Sequence, residues 1–263
     1  MSDDWDFYFA RVNGAVSSIF VDLGIRADVP VEKRPWLLWV SLNLRSPGAE
    51  GLSTSEEAPR LNEIGEAMDA NVTAACAAQL VGRITGGGRR EYYFYGEEPG
   101  PLDEAVKNAL RSFPEYAHEC GSSLQPEWDQ YLGLLYPSDT NLQRMFNRRV
   151  LEALAEQGDV HETPRQVDHW LEFADEASRT ACRDTLVAIE FRVEDEFLAE
   201  EPEDLPYRLV VSRVDSVDSH TINGITLELA RVAGEHGGSY DGWECPVTAP
   251  EGGDAAPASE TRH

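Results

Sequence analysis

Pro35-Trp36-Leu37-Leu38-Trp39-Val40-Ser41-Leu42 is a nearly continuous apolar run. That pattern suits a strand buried on both faces or central in its sheet. A long loop around Ser46 to Thr54 follows and ends at a helix start. Ser53 or Ser55 stands where a cap is needed, with acids in the first turn. Leu61, Ile64, Met68 and Val72 then recur at helical spacing. Ala78 to Ile84 and Glu91 to Tyr95 form a hairpin around Gly86-Gly87-Gly88. A helix from Leu102 to about Ser112 stops at Pro114, and Tyr116 to Leu124 supplies a last strand. The order is strand, helix, strand, strand, helix, strand. Each helix covers one face of a four-stranded antiparallel sheet, which is the ferredoxin-like unit.

Upstream, Trp5 to Arg11 and Ala15 to Leu23 flank Asn13-Gly14, a type I′ hairpin signal. Downstream, Trp128 to Ser138 is a junction whose Tyr131, Leu134, Leu135 and Tyr136 call for packing. Pro137-Ser138-Asp139 opens a helix from about Thr140 to Glu156, closed by Gly158. The same order then returns. Gln166 to Ala174 is a strand and Asp175 to Ala188 a helix. Ile189 to Leu198 and Pro206 to Val214 are strands around an acidic loop. Ser219 to His236 is a helix ended by Gly237-Gly238, and an edge strand starts at Ser239. The two halves share no sequence repeat. The expected fold is α+β: two ferredoxin-like βαββαβ sandwiches in tandem, the first with an extra N-terminal β-hairpin, the second with a preceding helix. The expected domains are 1–137 and 138–247, with a disordered tail at 248–263 rich in Gly, Ala, Pro, Ser and acid.

A chain of 263 residues suits two domains, and 41% hydrophobic residues suffice for ordinary cores. The formal net charge is -26. Residues 1–138 hold 21 acids and 11 bases; residues 139–263 hold 27 and 11. Such a field repels phosphate backbones and anionic lipid and attracts basic partners. Solubility, or adaptation to a salty cytoplasm, is the plainer account. The N-terminus shows no basic segment followed by an apolar one, so no signal peptide is expected. No apolar run nears the roughly 18–20 residues of a membrane span. Cysteines at 76, 120, 182 and 245 form no C-x-x-C pair. Their spacing argues against zinc and against a dense disulfide framework. A cytoplasmic chain with mostly reduced thiols is expected.

Candidate chemistry is sparse. None of the six histidines lies in a metal-ligand pattern, and neither metal nor cofactor is expected. His118 and Cys120 share one face of a strand, the spacing of a nucleophile pair, or simply a structural thiol beside a rim histidine. Gly86-Gly87-Gly88 is followed by arginines and a strand rather than by a helix, so it reads as a turn and not a phosphate loop. Tyr92 and Phe94 point to one face, Tyr93 and Tyr95 to the other, as strand alternation requires. With Trp36 and Trp39 they occupy the strands that carry stacking aromatics in RNA-recognition motifs. The consensus is absent, however, and only Arg83, Arg89 and Arg90 are locally basic. Direct nucleic-acid binding is therefore disfavoured against a packing face covered by the leading hairpin or the other domain. Glu194-Asp195-Glu196, Glu200-Glu201 and Glu203-Asp204 form the densest acidic run. It lacks the ligand spacing of an EF-hand. It serves either as a solvated loop that blunts an edge strand or as a dock for a basic peptide.

Asn147-Arg148-Arg149-Val150-Leu151-Glu152-Ala153-Leu154, Gly158-Asp159, His169-Trp170-Leu171-Glu172-Phe173 and above all Gly237-Gly238-Ser239-Tyr240-Asp241-Gly242-Trp243-Glu244 resemble RraB, the bacterial regulators of ribonuclease E. The resemblance covers roughly residues 140–247. It implies a ferredoxin-like fold behind a helix, and inhibition of ribonuclease E by binding, without catalysis. Trp5-Asp6-Phe7-Tyr8 and the stretch from Trp128 to Pro137 resemble an uncharacterised bacterial domain family, domain of unknown function six-nine-five, which brings no known activity. The expected function is a non-enzymatic protein-binding regulator whose partner has a basic, ribonuclease E-like segment. Its candidate binding residues are Glu194, Asp195, Glu196, Glu200, Glu201, Glu203, Asp204, Tyr240, Asp241 and Trp243. The alternative is a small-molecule-binding or enzymatic N-terminal domain.

Overall fold

A computed structural model describes residues 2–201 and 204–249. The backbone divides into two compact units between Ser138 and Asp139. Each is a mixed α+β unit built on one antiparallel sheet.

The first unit runs β1 (Trp5–Val12), β2 (Ala15–Asp22), β3 (Trp36–Asn43), α1 (Ala58–Cys76), β4 (Gln79–Gly86), β5 (Arg89–Gly96), α2 (Leu102–Ala109) and β6 (His118–Leu124). A 3-10 turn, Leu110–Ser112, prolongs α2, and a π-helical turn spans Tyr131–Leu135. The sheet order is β1-β2-β4-β5-β3-β6. The Pro35 run becomes β3, an inner strand between β5 and β6, as its apolar content demands. Asn13 and Gly14 both take positive φ, 51° and 85°, the geometry of a type I′ turn. Leu61, Ile64, Met68 and Val72 of α1 are wholly buried against Leu38, Val40, Tyr92 and Phe94. Each such side chain contributes about 1.5–3 kcal/mol through the surface it withdraws from water.

Three expectations change here. Neither Ser53 nor Ser55 caps α1. Glu57 is the cap residue, and its carboxylate instead accepts from the amides of Arg45 and Ser46 at 2.8 and 3.0 Å, tying the incoming loop to the helix start. The leading hairpin does not cover the aromatic face: β2 pairs with β4, from Ser17↔Gly86 to Val21↔Gly82, and widens the sheet to six strands. The expected junction narrows, because residues 128–135 pack as their apolar side chains demand and belong to the first unit. Trp128, Tyr131 and Leu135 are buried within the first unit, where Trp128 stacks on Tyr95 at 3.9 Å.

The second unit runs α3 (Asp139–Glu156), β7 (Arg165–Phe173), α4 (Glu176–Ala188), β8 (Arg192–Leu198), β9 (Tyr207–Asp215), α5 (Ser219–Glu235) and β10 (Gly238–Glu244). Its sheet order is β10-β7-β9-β8. Asp175 caps α4 through the Ser178 amide, and Asp218 caps α5 through the amides of His220 and Thr221. Ile189 to Phe191, expected in a strand, form the turn after α4 instead. Glu190 has a left-handed φ of 70°, which ends one direction before β8 begins. Leu171, Phe173, Leu209 and Val211 meet Cys182, Leu186, Leu229 and Val232 to form the core. Thr248, expected as the first residue of the tail, is tied to the second unit: its amide donates to Asp159 at 2.6 Å and its carbonyl accepts from Val160 at 2.9 Å. Residues 250–263 lie outside the described residues.

Candidate protein-binding surface

The acidic run does not form one surface. Pairing of β8 with β9 slips between Val193 and Asp195, a bulge that absorbs Glu194. Glu196 therefore stands opposite Leu209, on the side covered by helices. Its carboxylate lies 3.6 Å from Arg179 and 3.4 Å from Arg183, both on α4. Glu194 pairs with Arg192 at 2.7 Å and accepts from the Ser212 hydroxyl at 2.5 Å. Those two hydrogen bonds hold its carboxyl below the usual carboxylate range. Asp195 is exposed and accepts from the Glu196 amide at 2.8 Å. Glu200, Glu201 and Asp204 are exposed on the loop between β8 and β9. Glu203 lies outside the described residues. Local arginines neutralise Glu194 and Glu196, whereas Asp195 and the loop residues Glu200, Glu201 and Asp204 face solvent.

The β10 residues divide as well. Asp241 is exposed. Trp243 is 6% exposed, packs with Leu151, Leu154 and Val167, and donates its indole N–H to Asn147 at 2.9 Å. The Tyr240 hydroxyl lies 2.9 Å from Nδ1 of His169, and burial pushes its pKa upward. His169 is fully buried, and burial with the nearby Arg213 charge lowers its pKa to about 3, so its ring is neutral. Tyr240 and Trp243 thus fasten the edge strand to the fold.

The residue that organises this fastening is Asn147, which the sequence reading quotes only as the start of a motif and gives no role. Asn147 is wholly buried and satisfied on both ends of its amide. It donates to Asn223 and Thr226 at 2.8 Å each and accepts from Trp243 and from Gln143 at 3.0 Å. Its signal was present: Asn147, Leu151 and Leu154 occupy i, i+4 and i+7, so a polar residue sits in the apolar stripe of α3. A second polar cluster joins Asp159 to Arg165, which also donates to the carbonyls of Thr163 and Pro246 at 3.1 Å. It holds the chain leaving β10.

The remaining candidates are structural. Cys120 donates its thiol to Asp103 at 3.1 Å; burial and that carboxylate raise its pKa to about 11, opposite to what a nucleophile needs. All four cysteines are free thiols. Gly87 and Gly88 take positive φ in the β4–β5 turn, and the Gly88 amide donates to Gly51 at 2.9 Å. Tyr92 and Phe94 enter the helix-covered core, while Tyr95 lies beneath Trp128. Tyr93 and Trp39 line an open recess of about 390 Å³ beside Arg89, Glu91 and Glu119, a lining of mixed charge. Among the described residues no group of His, Cys, Asp and Glu is placed to hold a metal, and no helix is long and apolar enough to cross a membrane.

Comparison with known proteins finds two family matches. Residues 3–136 match the model described as a family of unknown function, DUF695, and residues 144–245 match that of regulator of ribonuclease activity B, RraB. No curated protein matches the chain. Among solved structures, an unknown protein from Galdieria sulphuraria aligns at 12% identity over 81% of this chain and 99% of that one, with a TM-score of 0.23. A "putative glycine cleavage system transcriptional repressor" aligns at 9% identity over 81% and 98%, with a TM-score of 0.24. Scores so low carry no argument about this fold.

Proposed function

We propose, from the premise that the chain belongs to the DUF695 family and bears an RraB-type second unit, that it is a non-enzymatic regulator acting by binding a protein partner. The partner we infer is ribonuclease E or a related RNA-processing enzyme, met in the cytoplasm through a basic segment. The observation that carries this is the RraB match over residues 144–245. The placement of the quoted motif residues supports it: Trp243 bonds Asn147 between β10 and α3, and Tyr240 bonds His169 between β10 and β7. They build a rigid frame, and rigid frames lower the ordering cost of association. We read each unit as a ferredoxin-like domain, 1–137 and 138–247. In both, the four strands of the βαββαβ order lie as fourth, first, third, second.

Among the candidate residues that the structure describes, Glu200, Glu201, Asp204, Asp195 and Asp241 are exposed carboxylates open to a basic segment. Solvated charges of this kind steer encounter and respond to salt, since screening acts over roughly 8–10 Å at physiological strength. Titration of purified ribonuclease E into the full chain tests the reading. Binding that weakens as salt rises, with slowed RNA cleavage, is expected. Absence of binding at low salt would remove ribonuclease E as the partner, and binding indifferent to salt would remove the role of the acids.

A further inference from the structure

Where β1 and β2 widen the first sheet, its helix-facing side carries a recess of about 320 Å³ lined by Phe7, Phe9, Phe20, Arg83, Thr85 and Arg90. Strand register places them together: Phe7 opposes Phe20, which opposes Arg83; Thr85 opposes Arg90. Tyr92, opposite Arg83, marks the side, because its hydroxyl reaches the Leu61 carbonyl of α1 at 3.3 Å.

The chemistry of this recess runs against that of the whole chain, whose net charge is -26. Arg90 is 94% buried by its 6% exposure, and its Nε donates to the Thr85 hydroxyl at 2.9 Å. Its Nη1 is buried with no hydrogen-bond partner. The guanidinium of Arg83 lies 4.6 Å from the centre of the Phe20 ring, and burial together with the Arg90 charge lowers its pKa. Neither arginine pairs with a carboxylate among the described residues. Two like charges held close in a desolvated place, one with an unmet donor, are a costly arrangement that an incoming anion relieves. The guanidinium fork matches the oxygens of carboxylate and phosphate. Phe9, 56% exposed, adds an apolar wall. The volume is that of a small-ligand site.

We propose that this recess binds a small organic oxyanion, a carboxylate or phosphate group on an aromatic or apolar body. Arg90 and Arg83 hold its oxygens, and Phe9 and Phe20 flank its body. Calorimetric titration of the full chain with phenyl phosphate, benzoate and inorganic phosphate tests this. At least one aryl anion is expected to bind, at least tenfold more tightly than inorganic phosphate. Whichever of the two binds better identifies the headgroup. Arg90→Gln buries a changed group and is liable to misfold, so the deciding variants are Arg83→Gln and Phe9→Ser at less buried positions. With circular dichroism unchanged, Arg83→Gln is expected to weaken binding at least tenfold, and Phe9→Ser to shrink the aryl preference. No binding at millimolar concentration, equal affinity for phenyl and inorganic phosphate, or binding unchanged in Arg83→Gln would each overturn the proposal.

Discussion

The two sheets place their four core strands in the same order and differ in how they finish the face away from the helices. In the first unit part of that face is apolar and roofed, beside a recess that Arg89, Glu91 and Glu119 line with Trp39 and Tyr93. Trp128 stacks on Tyr95, Tyr131 reaches the Asp22 carbonyl at 2.7 Å, and Tyr8 reaches the Leu135 carbonyl at 3.1 Å. In the second unit the corresponding face is a lattice of charges: Arg208 pairs with Glu172, and Arg192 with Glu194, which also accepts from Ser212. Strand order therefore does not decide what a sheet face becomes. A segment of apolar residues after the last strand roofs one face, and alternating charge along β7, β8 and β9 keeps the other wet.

The largest expected effect comes from unroofing the first face. Trp128 is wholly buried, and its indole N–H donates to the Arg34 carbonyl at 3.0 Å. Trp128→Ala removes the stack and opens a cavity, for which about 3–5 kcal/mol is typical. Hydrogen exchange read peptide by peptide separates the units: protection should fall across β1 to β6 and hold across β7 to β10. Loss of protection in both units alike would mean that the roof serves more than its own sheet.

Acid should break the comparison from the other side. His169 titrates near 3 in the fold and near about 6.5 when unfolded. Between those values the unfolded chain binds a proton that the folded chain refuses. Stability of the second unit therefore declines as pH falls from about 6.5 toward 3, by at most about 1.4 kcal/mol per pH unit from this group. The first unit's histidine, His118, is exposed on β6. Urea denaturation of the full chain between pH 7 and 5, with His169→Gln as the reference, isolates the effect. A wild-type slope no steeper than that of the variant would show that His169 is already protonated in the fold.

Much of this contrast was legible in the sequence. Element order followed from apolar periodicity and from turn residues such as Asn13-Gly14, because both are local signals. What escaped depends on contacts far apart in the chain. That β2 would pair with β4 is not written in either strand, since edges carry no address. That Trp128 belongs to the first sheet required Tyr95, 33 positions earlier, to be uncovered. The bulge in β8 split the acidic run between two faces, and Glu196 was lost to Arg179 and Arg183. Asn147 was readable as a misfit in an apolar stripe, but not the three distant residues, Asn223, Thr226 and Trp243, that bond it along with Gln143.

The smallest expected effect on the fold is also the one that bears on function. In the βαββαβ order, the β4–β5 turn and the β8–β9 loop hold equivalent places and opposite charge. The first leads into Arg89 and Arg90, and the second carries Glu200, Glu201 and Asp204. The triple variant Glu200→Lys, Glu201→Lys, Asp204→Lys alters exposed residues of the loop and should move stability by no more than about 0.5 kcal/mol. If a basic partner meets this loop, the same variant should bind it more slowly and lose the salt dependence of the encounter. Glu196→Gln separates charge from structure. It removes a carboxylate held by two arginines of α4, so it should weaken the second unit while leaving the loop field nearly intact. Partner binding that falls with Glu196→Gln and survives the triple variant would move the contact off the loop and onto the frame behind it.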